Sequence, residues 1–303
     1  MGVLDTVADR QAEWSATANA LKATVDRART VVFALSIAGA ILAALASQMG
    51  GGATEAATSL ADNPRAWVAI AAAISLAFAT FFTQRLLGAD HVTAWVRARA
   101  ISEALKREAY KFATGAAPYN ADAAANEALL DQQRSTIEAD GDDLDEKLVS
   151  AAAPGSAPRA MLTLEDYRTR RVVGQAKAFY RPKAERYKKM AERLHHIEFG
   201  LALLATAITA VASVTGKSSP IFGIQLDFAA FTAVLTTLGG AVLAHLEAGR
   251  YDFLAMTYRA TARRLEDRLN RPPASVSDFV NDCESVIANE NTSWIAKWTK
   301  YGS

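Results

Sequence analysis

The side chains best suited to chemistry in this chain are few and poorly spaced for it. Four histidines occur, His91, His195, His196 and His245, with a single cysteine, Cys283. A structural zinc site draws cysteines and histidines at short repeated intervals, which one cysteine cannot supply. Nucleophilic catalysis needs a hydroxyl or thiol beside a base that a third group orients, and scattered histidines offer no such set. No glycine-rich run resembles a phosphate-binding loop. The acidic run Asp140, Asp142, Asp143, Asp145 and Glu146 has the composition of a calcium loop but lacks its alternating ligands, central glycine and closing glutamate. It reads as solvated linker. His195, His196 and His245 border apolar runs, where an imidazole could sense pH or bind a metal but where wetting is the ordinary role. Carboxylate pairs fall on helices that read as solvated. These observations point away from an enzyme, with no catalytic residue, metal or cofactor expected.

The elements around these residues say more. No charged residue lies between Arg29 and Glu55, Arg65 and Arg85, Glu198 and Lys217, or Asp227 and Glu247. About 20 residues at 1.5 Å each cross the hydrocarbon of a bilayer. The pattern predicts membrane spans at about 30–49, 66–84, 197–215 and 228–246. The runs are rich in alanine, so Val31, Phe33, Ile37, Ile41 and Leu42 carry the first, and Phe78, Phe81 and Phe82 help the second. A mean hydropathy of +0.05 hides this segregation. Two short links, 50–64 and 216–227, carry Gly, Ser, Asn and Pro and read as turns, so the spans form two hairpins. The net charge of +1 over 303 residues gives no basis for a nucleic-acid partner. The N-terminal stretch lacks the basic start and apolar run of a signal peptide.

Basic residues flank the spans on one side. They include Lys22, Arg27 and Arg29 before the first, Arg85, Arg97 and Arg99 after the second, Lys183, Arg186 and Arg193 before the third, and Arg250 and Arg259 after the fourth. The links hold only Arg65 and Lys217. The positive-inside rule then puts both termini and the middle segment in the cytoplasm of a multi-pass inner-membrane protein. Small residues recur every four positions within the spans. The clearest set is Thr236, Gly240, Ala244 and Ala248 in the fourth, a spacing that lets helix backbones approach closely in lipid. No carboxylate or lysine sits mid-span, which disfavours a proton-coupled transporter.

The fold class expected is an all-α membrane protein, two hairpins joined to long stalk helices that form a bundle. Residues 1–120 make a first unit, 121–160 a polar linker and 161–303 a second unit ending in a packing helix. After the second span, Trp95, Ala98, Ile101, Leu105 and Phe112 recur at helical spacing and continue the span as a stalk. The segment around Tyr258 mirrors it after the fourth span. Thr163 and Asp166 mark a helix start. Pro182 should kink or restart the helix that follows. Phe279, Cys283, Ile287, Glu290 and Trp294 lie three or four apart on a final helix that packs back on the stalks; Trp294 and Trp298 could instead touch the membrane interface.

Trp95, Arg99, Glu103, Lys106, Tyr110, Pro118 and Tyr119 resemble the segment after the hairpin in SLATT domains. Tyr167, Arg171, Gln175, Tyr180, Lys183 and Ala184 resemble the opening of a second SLATT subtype. Glu284, Glu290 and Trp294 resemble its closing helix. Phe179 and Pro182 depart from the pattern. The resemblance covers most of the chain as two tandem copies. SLATT domains are two-transmembrane effectors associated with nucleotide-generating and nucleotide-sensing proteins in bacterial conflict systems. The resemblance implies a homo-oligomeric pore or membrane-disrupting effector in phage defence, triggered by such a partner. Trp95, Arg99, Glu103, Lys106, Tyr167, Gln175, Tyr180, Tyr258 and Trp294 would be its stalk residues. A non-conducting membrane scaffold or sensor is the alternative.

Overall fold

The computed structural model describes residues 2–49, 63–215, 218–221, 224–271 and 273–299. In chain order these form α1 (Val3–Gln48), α2 (Pro64–Leu86), α3 (Ala89–Ala113), α4 (Ala123–Ala139), α5 (Leu164–Tyr167), α6 (Arg181–Thr215), β1 (Ser218–Ile221), β2 (Ile224–Asp227), α7 (Phe228–Gly249), α8 (Tyr251–Leu269) and α9 (Val276–Thr299). A 3₁₀ turn covers Asp142–Lys147, and Arg168–Tyr180 winds as a π-helix between α5 and α6. Four stretches, Val3–Gln48, Pro64–Leu86, Leu164–Thr215 and Phe228–Leu269, are long and apolar enough to cross a membrane. The chain is an all-α membrane protein apart from β1 and β2.

Those two strands are a departure from the expected simple turn. They pair antiparallel, from Ser218 opposite Asp227 to Ile221 opposite Ile224. A link between two helices leaves its backbone donors and acceptors without partners, and a short ladder satisfies them. Most of the first link lies outside the described residues. Near its end, Asn63 caps α2 by accepting from the Ala66 N–H at 3.2 Å, with Pro64 in the first helical position. Asp227 caps α7 in the same manner through Ala229 and Ala230. Thr163 opens α5 as expected, accepting from the Asp166 N–H at 3.1 Å while its hydroxyl donates to the Asp166 carboxylate at 2.7 Å.

The helix leading into each hairpin is continuous, and the helix leaving it is broken. The stalk expected to continue the second span is instead a separate helix, α3, set off from α2 by Leu87 and Gly88. Arg250 separates α7 from α8 with φ of 51°. Its N–H bonds back to Leu246 and Glu247, a left-handed helix end of the kind glycine usually supplies. Pro182 is the second residue of α6, where the wide helix gives way to α-helix and the Arg181 N–H still reaches Ala176, five residues back. Proline has no N–H to donate and crowds the preceding turn, so a change of winding at this point accommodates it.

The chain folds into two compact units, each drawing on both halves of the sequence. One comprises Met1–Val25, Gly88–Tyr187 and Phe253–Ser303; the other comprises Asp26–Leu87 and Lys188–Asp252. In the first, Val7, Trp14, Ile101, Leu105, Leu130 and Leu144 belong to one buried cluster from α1, α3, α4 and the 3₁₀ turn. The segment read as a polar linker is therefore structured. Asp122 caps α4, Leu130 and Leu144 are buried, and Glu138 accepts from Trp14 Nε1 at 3.0 Å and Arg134 Nη1 at 2.7 Å. Within the acidic run Asp143 pairs with Arg97 at 2.6 Å. Further on, the buried Gln11 Oε1 accepts the Ser156 and Ala157 N–H groups, and Leu162 N–H bonds to Ala113 O at 2.7 Å. Sparse leucines in polar sequence suffice here because the neighbouring helices supply the rest of the core.

In the second unit, α1 meets α2 closely at Gly39, where a Cβ would lie 2.7 Å from Leu76 Cγ. It meets α7 through the Phe33–His245 stack, with centroids 4.4 Å apart, and through Gln48, whose amide bonds both backbone groups of Asp227. Helices α6 and α7 meet at Thr209 and Thr232, 3.4 Å apart, and around Leu194, Val242 and Leu246.

Candidate functional site

On α3, Trp95, Arg99, Glu103, Lys106 and Tyr110 follow spacings of four, four, three and four, which place them on one helical face. The opposite requirement, an apolar face, is met by Ala94, Ala98, Ile101, Leu105 and Ala109 in the core cluster. The polar face meets α9 running antiparallel to it, with the π-helix and α8 alongside. Together they form a buried seam in which aromatic rings alternate with charges.

At one end Trp95 packs edge-on against Trp294 and Trp298, each 5.1 Å away between centroids. Arg99 lies over the Trp294 ring at 4.4 Å, in cation–π contact, and bonds the Tyr258 hydroxyl. Tyr180 then donates to Glu290 at 3.2 Å and packs on Tyr258. In the middle Lys106 reaches Glu103 at 2.7 Å. At the other end Arg171 grips Glu284 with two bonds, Nε at 2.9 Å and Nη2 at 2.8 Å, both side chains being 1% exposed. Tyr167 donates to the same carboxylate at 3.0 Å, and the Tyr110 ring lies under the guanidinium at 4.8 Å. Tyr119 is buried beside this end and donates to Glu108 at 2.9 Å.

Burial alone would raise the Glu103 carboxyl; Lys106, Arg171 and Arg99 outweigh it and hold the group down at about 2. Burial lowers the Lys106 ammonium against the pull of Glu103. Glu290 is pushed up by burial, with Arg99 and the Tyr180 bond opposing. Lys183 falls to about 8 through burial and the neighbouring charges of Arg99, Lys22 and Arg186. Burial and Glu284 push the Cys283 thiol up to about 12, so it is held as an unreactive thiol. The arrangement fixes helix register through charges that neutralise one another, most deeply buried at Arg171 and Glu284. Breaking such a pair from one side leaves a bare buried charge, which makes the seam intolerant of partial disruption.

Of the stalk residues picked out by sequence, Trp95, Arg99, Glu103, Lys106, Tyr167, Tyr180, Tyr258 and Trp294 all line this seam; Gln175 is half-buried on the π-helix. Trp294 and Trp298 pack inside the unit, 1% and 6% exposed, and are not presented to a membrane surface. The solvated helices expected for carboxylate pairs still carry single buried carboxylates, Glu108, Glu284 and Glu290. The Arg171–Glu284 pair was missed as a pair. The sequence signal available was a glutamate one step beyond Cys283 on an apolar helix face, with no local basic partner. The small-residue stripe Thr236, Gly240, Ala244 and Ala248 is exposed along α7, and a Cβ on Gly240 would meet nothing within 4 Å. Among the described residues, Gly240 brings no second helix within 4 Å, whereas Gly39 brings α2 close.

Residues 167–294 match the family model described as SMODS and SLOG-associating 2TM effector domain 1. Residues 12–127 match a different model, a protein family of unknown function, DUF4231. The resemblance to a SLATT domain is thus matched over residues 167–294, and the tandem reading is supported only in part, because residues 12–127 match a separately described family. Neither the curated proteins nor the solved structures compared with the chain include a match.

Proposed function

We propose that this chain, a membrane protein carrying a SLATT effector domain over residues 167–294, acts as an oligomeric pore or membrane-disrupting effector in a nucleotide-linked conflict system. One observation carries the reading: the matched effector domain contains a hairpin, α6 and α7, whose helices hold stretches long and apolar enough to cross a membrane. The chain adds a second hairpin from the other half. Four spans scarcely enclose a channel, so several copies would assemble. The domain's description as associating with SMODS and SLOG proteins supports a trigger supplied by a nucleotide-generating or nucleotide-sensing partner. Basic residues on one flank of every span support an inner-membrane protein with both termini in the cytoplasm. The seam residues hold the helices in register and carry no catalytic role in this reading, and the chain acts without enzymatic chemistry.

Conductance of the purified full chain in a planar bilayer tests it, with and without candidate nucleotides and neighbouring gene products. Reproducible unitary steps support the pore. A silent bilayer containing assembled, correctly oriented protein moves the function to the scaffold reading. A reporter fused after Ser303 should be active in the cytoplasm.

A further inference from the structure

The π-helix Arg168–Tyr180 runs for 13 residues. Such winding, in which each N–H reaches five residues back, is rare and mostly confined to single turns inside α-helices. Nothing local asks for it. The segment RTRRVVGQAKAFY is rich in Arg, Lys, Gln and Ala, all good α-helix formers, and α-helix flanks it on both sides. The cause is tertiary.

Tyr167, Arg171, Ala176 and Tyr180 stand four, five and four apart, and each is at most 2% exposed. Tyr167 donates to Glu284 and Tyr180 to Glu290, two carboxylates of one helix, α9. At 3.6 residues per turn these four could not share a face, since Ala176 and Tyr180 would lie about 180° and about 140° around the helix from Tyr167. The buried seam therefore selects the wide winding.

The same stretch holds a second face. Tyr167, Arg171, Gly174 and Ala178 stand four, three and four apart, and in α-helix they would fall within about 60° of one another. In the present winding Gly174 is half-buried and Ala178 exposed. The two faces share Tyr167 and Arg171 and part after them. The segment is also held unequally at its ends. At the first, Glu284 accepts two bonds from Arg171 and one from Tyr167. At the second, Tyr180 gives one bond to Glu290, whose Oε1 has no hydrogen-bond partner among the described residues, and its ring packs on Tyr258.

We infer that Arg168–Tyr180 is a two-register switch, latched in π winding where Tyr180 meets Glu290 and Tyr258. Release of the latch lets the segment rewind as α-helix from the fixed Tyr167–Arg171–Glu284 anchor, which brings Ala178 against α9 and turns Tyr180 out. Tyr167 to Tyr180 makes three turns in the present winding and would make about 3.6 in α-helix. Rewinding thus rotates α6 by about 0.6 of a turn relative to Tyr167. Helix α6 runs unbroken from Arg181 to Thr215, so the rotation is carried into its apolar stretch. Such a switch needs neither ion conduction nor assembly, and it goes beyond the function proposed above.

Maleimide labelling of the full chain in lipid nanodiscs tests it, with Ala176→Cys or Ala178→Cys as the reporter. The wild-type chain, with Cys283 buried, is the blank. In an otherwise wild-type chain, Ala178→Cys should label fast and Ala176→Cys slowly. Adding Tyr180→Ala should exchange them, each rate changing about tenfold or more as a state of at most about 10% becomes the major one. Tyr180→Phe, which keeps the ring and drops the bond to Glu290, should move both rates in the same directions and serves if Tyr180→Ala does not fold. Deleting Gly174 and Gln175 supplies the control, because Tyr180 then lies about three α-turns from Tyr167 and no second register remains. In that background Tyr180→Ala should leave Ala176→Cys protected. Rates unchanged by both Tyr180 variants would show a fixed π-helix and overturn the inference. So would a rise at both reporters, which marks a loosened seam, or equal exposure of Ala176→Cys with and without the deletion.

Discussion

Arg171 and Glu284, 113 positions apart in the chain, meet as a two-bond ion pair that is 1% exposed on both sides. The carboxylate also accepts from Tyr167, and the guanidinium rests on Tyr110. This single contact ties α3, the π-helix and α9 to one register. Removing one partner is expected to cost about 3–5 kcal/mol, because the other charge is left buried alone. Arg171→Leu and Glu284→Leu should each show that loss in thermal or denaturant unfolding of the full chain. The double variant should recover most of it. Equal losses in single and double variants would contradict the pairing.

Gln11 pins the segment after the 3₁₀ turn. Its Oε1 accepts from Ser156 and Ala157, and its Nε2 donates to Ser102 at 3.0 Å. Gln11→Leu leaves two backbone N–H groups without acceptors, at about 1–3 kcal/mol each when they stay buried. The expected result is a loss of about 2 kcal/mol or more and new proteolytic cleavage near residues 150–160. A variant as resistant to protease as wild type would exclude this role.

Glu103 in the seam and Lys183 beside it are both shifted downward, Glu103 because its charged form is favoured and Lys183 because its neutral form is. Glu103 is held at about 2, below its ordinary 4.5, so its stabilising contribution is complete above pH 4.5 and is lost as pH falls through 2. Glu103→Gln should therefore differ most from wild type above pH 4.5, with the gap closing on acidification. Lys183 is held near 8, below its ordinary 10.5. The folded state then binds fewer protons between these values, and stability rises with pH across that window. Lys183→Met should flatten that rise. Unfolding midpoints of each variant against wild type, measured across the two windows, check both signs.

Gly39 and Gly240 have opposite roles. A Cβ at Gly39 would sit 2.7 Å from Leu76 Cγ and 3.3 Å from the Ala72 carbonyl, whereas at Gly240 it would meet nothing. Gly39→Val should destabilise the membrane unit by about 1–3 kcal/mol through overpacking, and Gly240→Ala should leave unfolding of the monomer unchanged. Thermal unfolding in nanodiscs measures both. An unaffected Gly39→Val would place the α1–α2 contact elsewhere.

Much of the fold was legible because it depends on local physics. A run without charge long enough to cross hydrocarbon is a property of the run itself, and the four spans coincide with Val3–Gln48, Pro64–Leu86, Leu164–Thr215 and Phe228–Leu269. The cap at Thr163 and the change of winding at Pro182 are likewise set by neighbours a few residues away. The stalk residues were legible as helical faces. What they would touch was not.

The sequence by itself determined the membrane spans, the helix start at Thr163 and the helical periodicity of α3. Only the tertiary structure decided that Glu284 would meet Arg171, that Leu130 and Leu144 would bury a stretch of polar composition, and that α3 would begin afresh after Gly88. The physical reason is separation along the chain. A buried carboxylate is tolerable only beside its cation, and where that cation is 113 residues away, nothing near Glu284 in sequence records it.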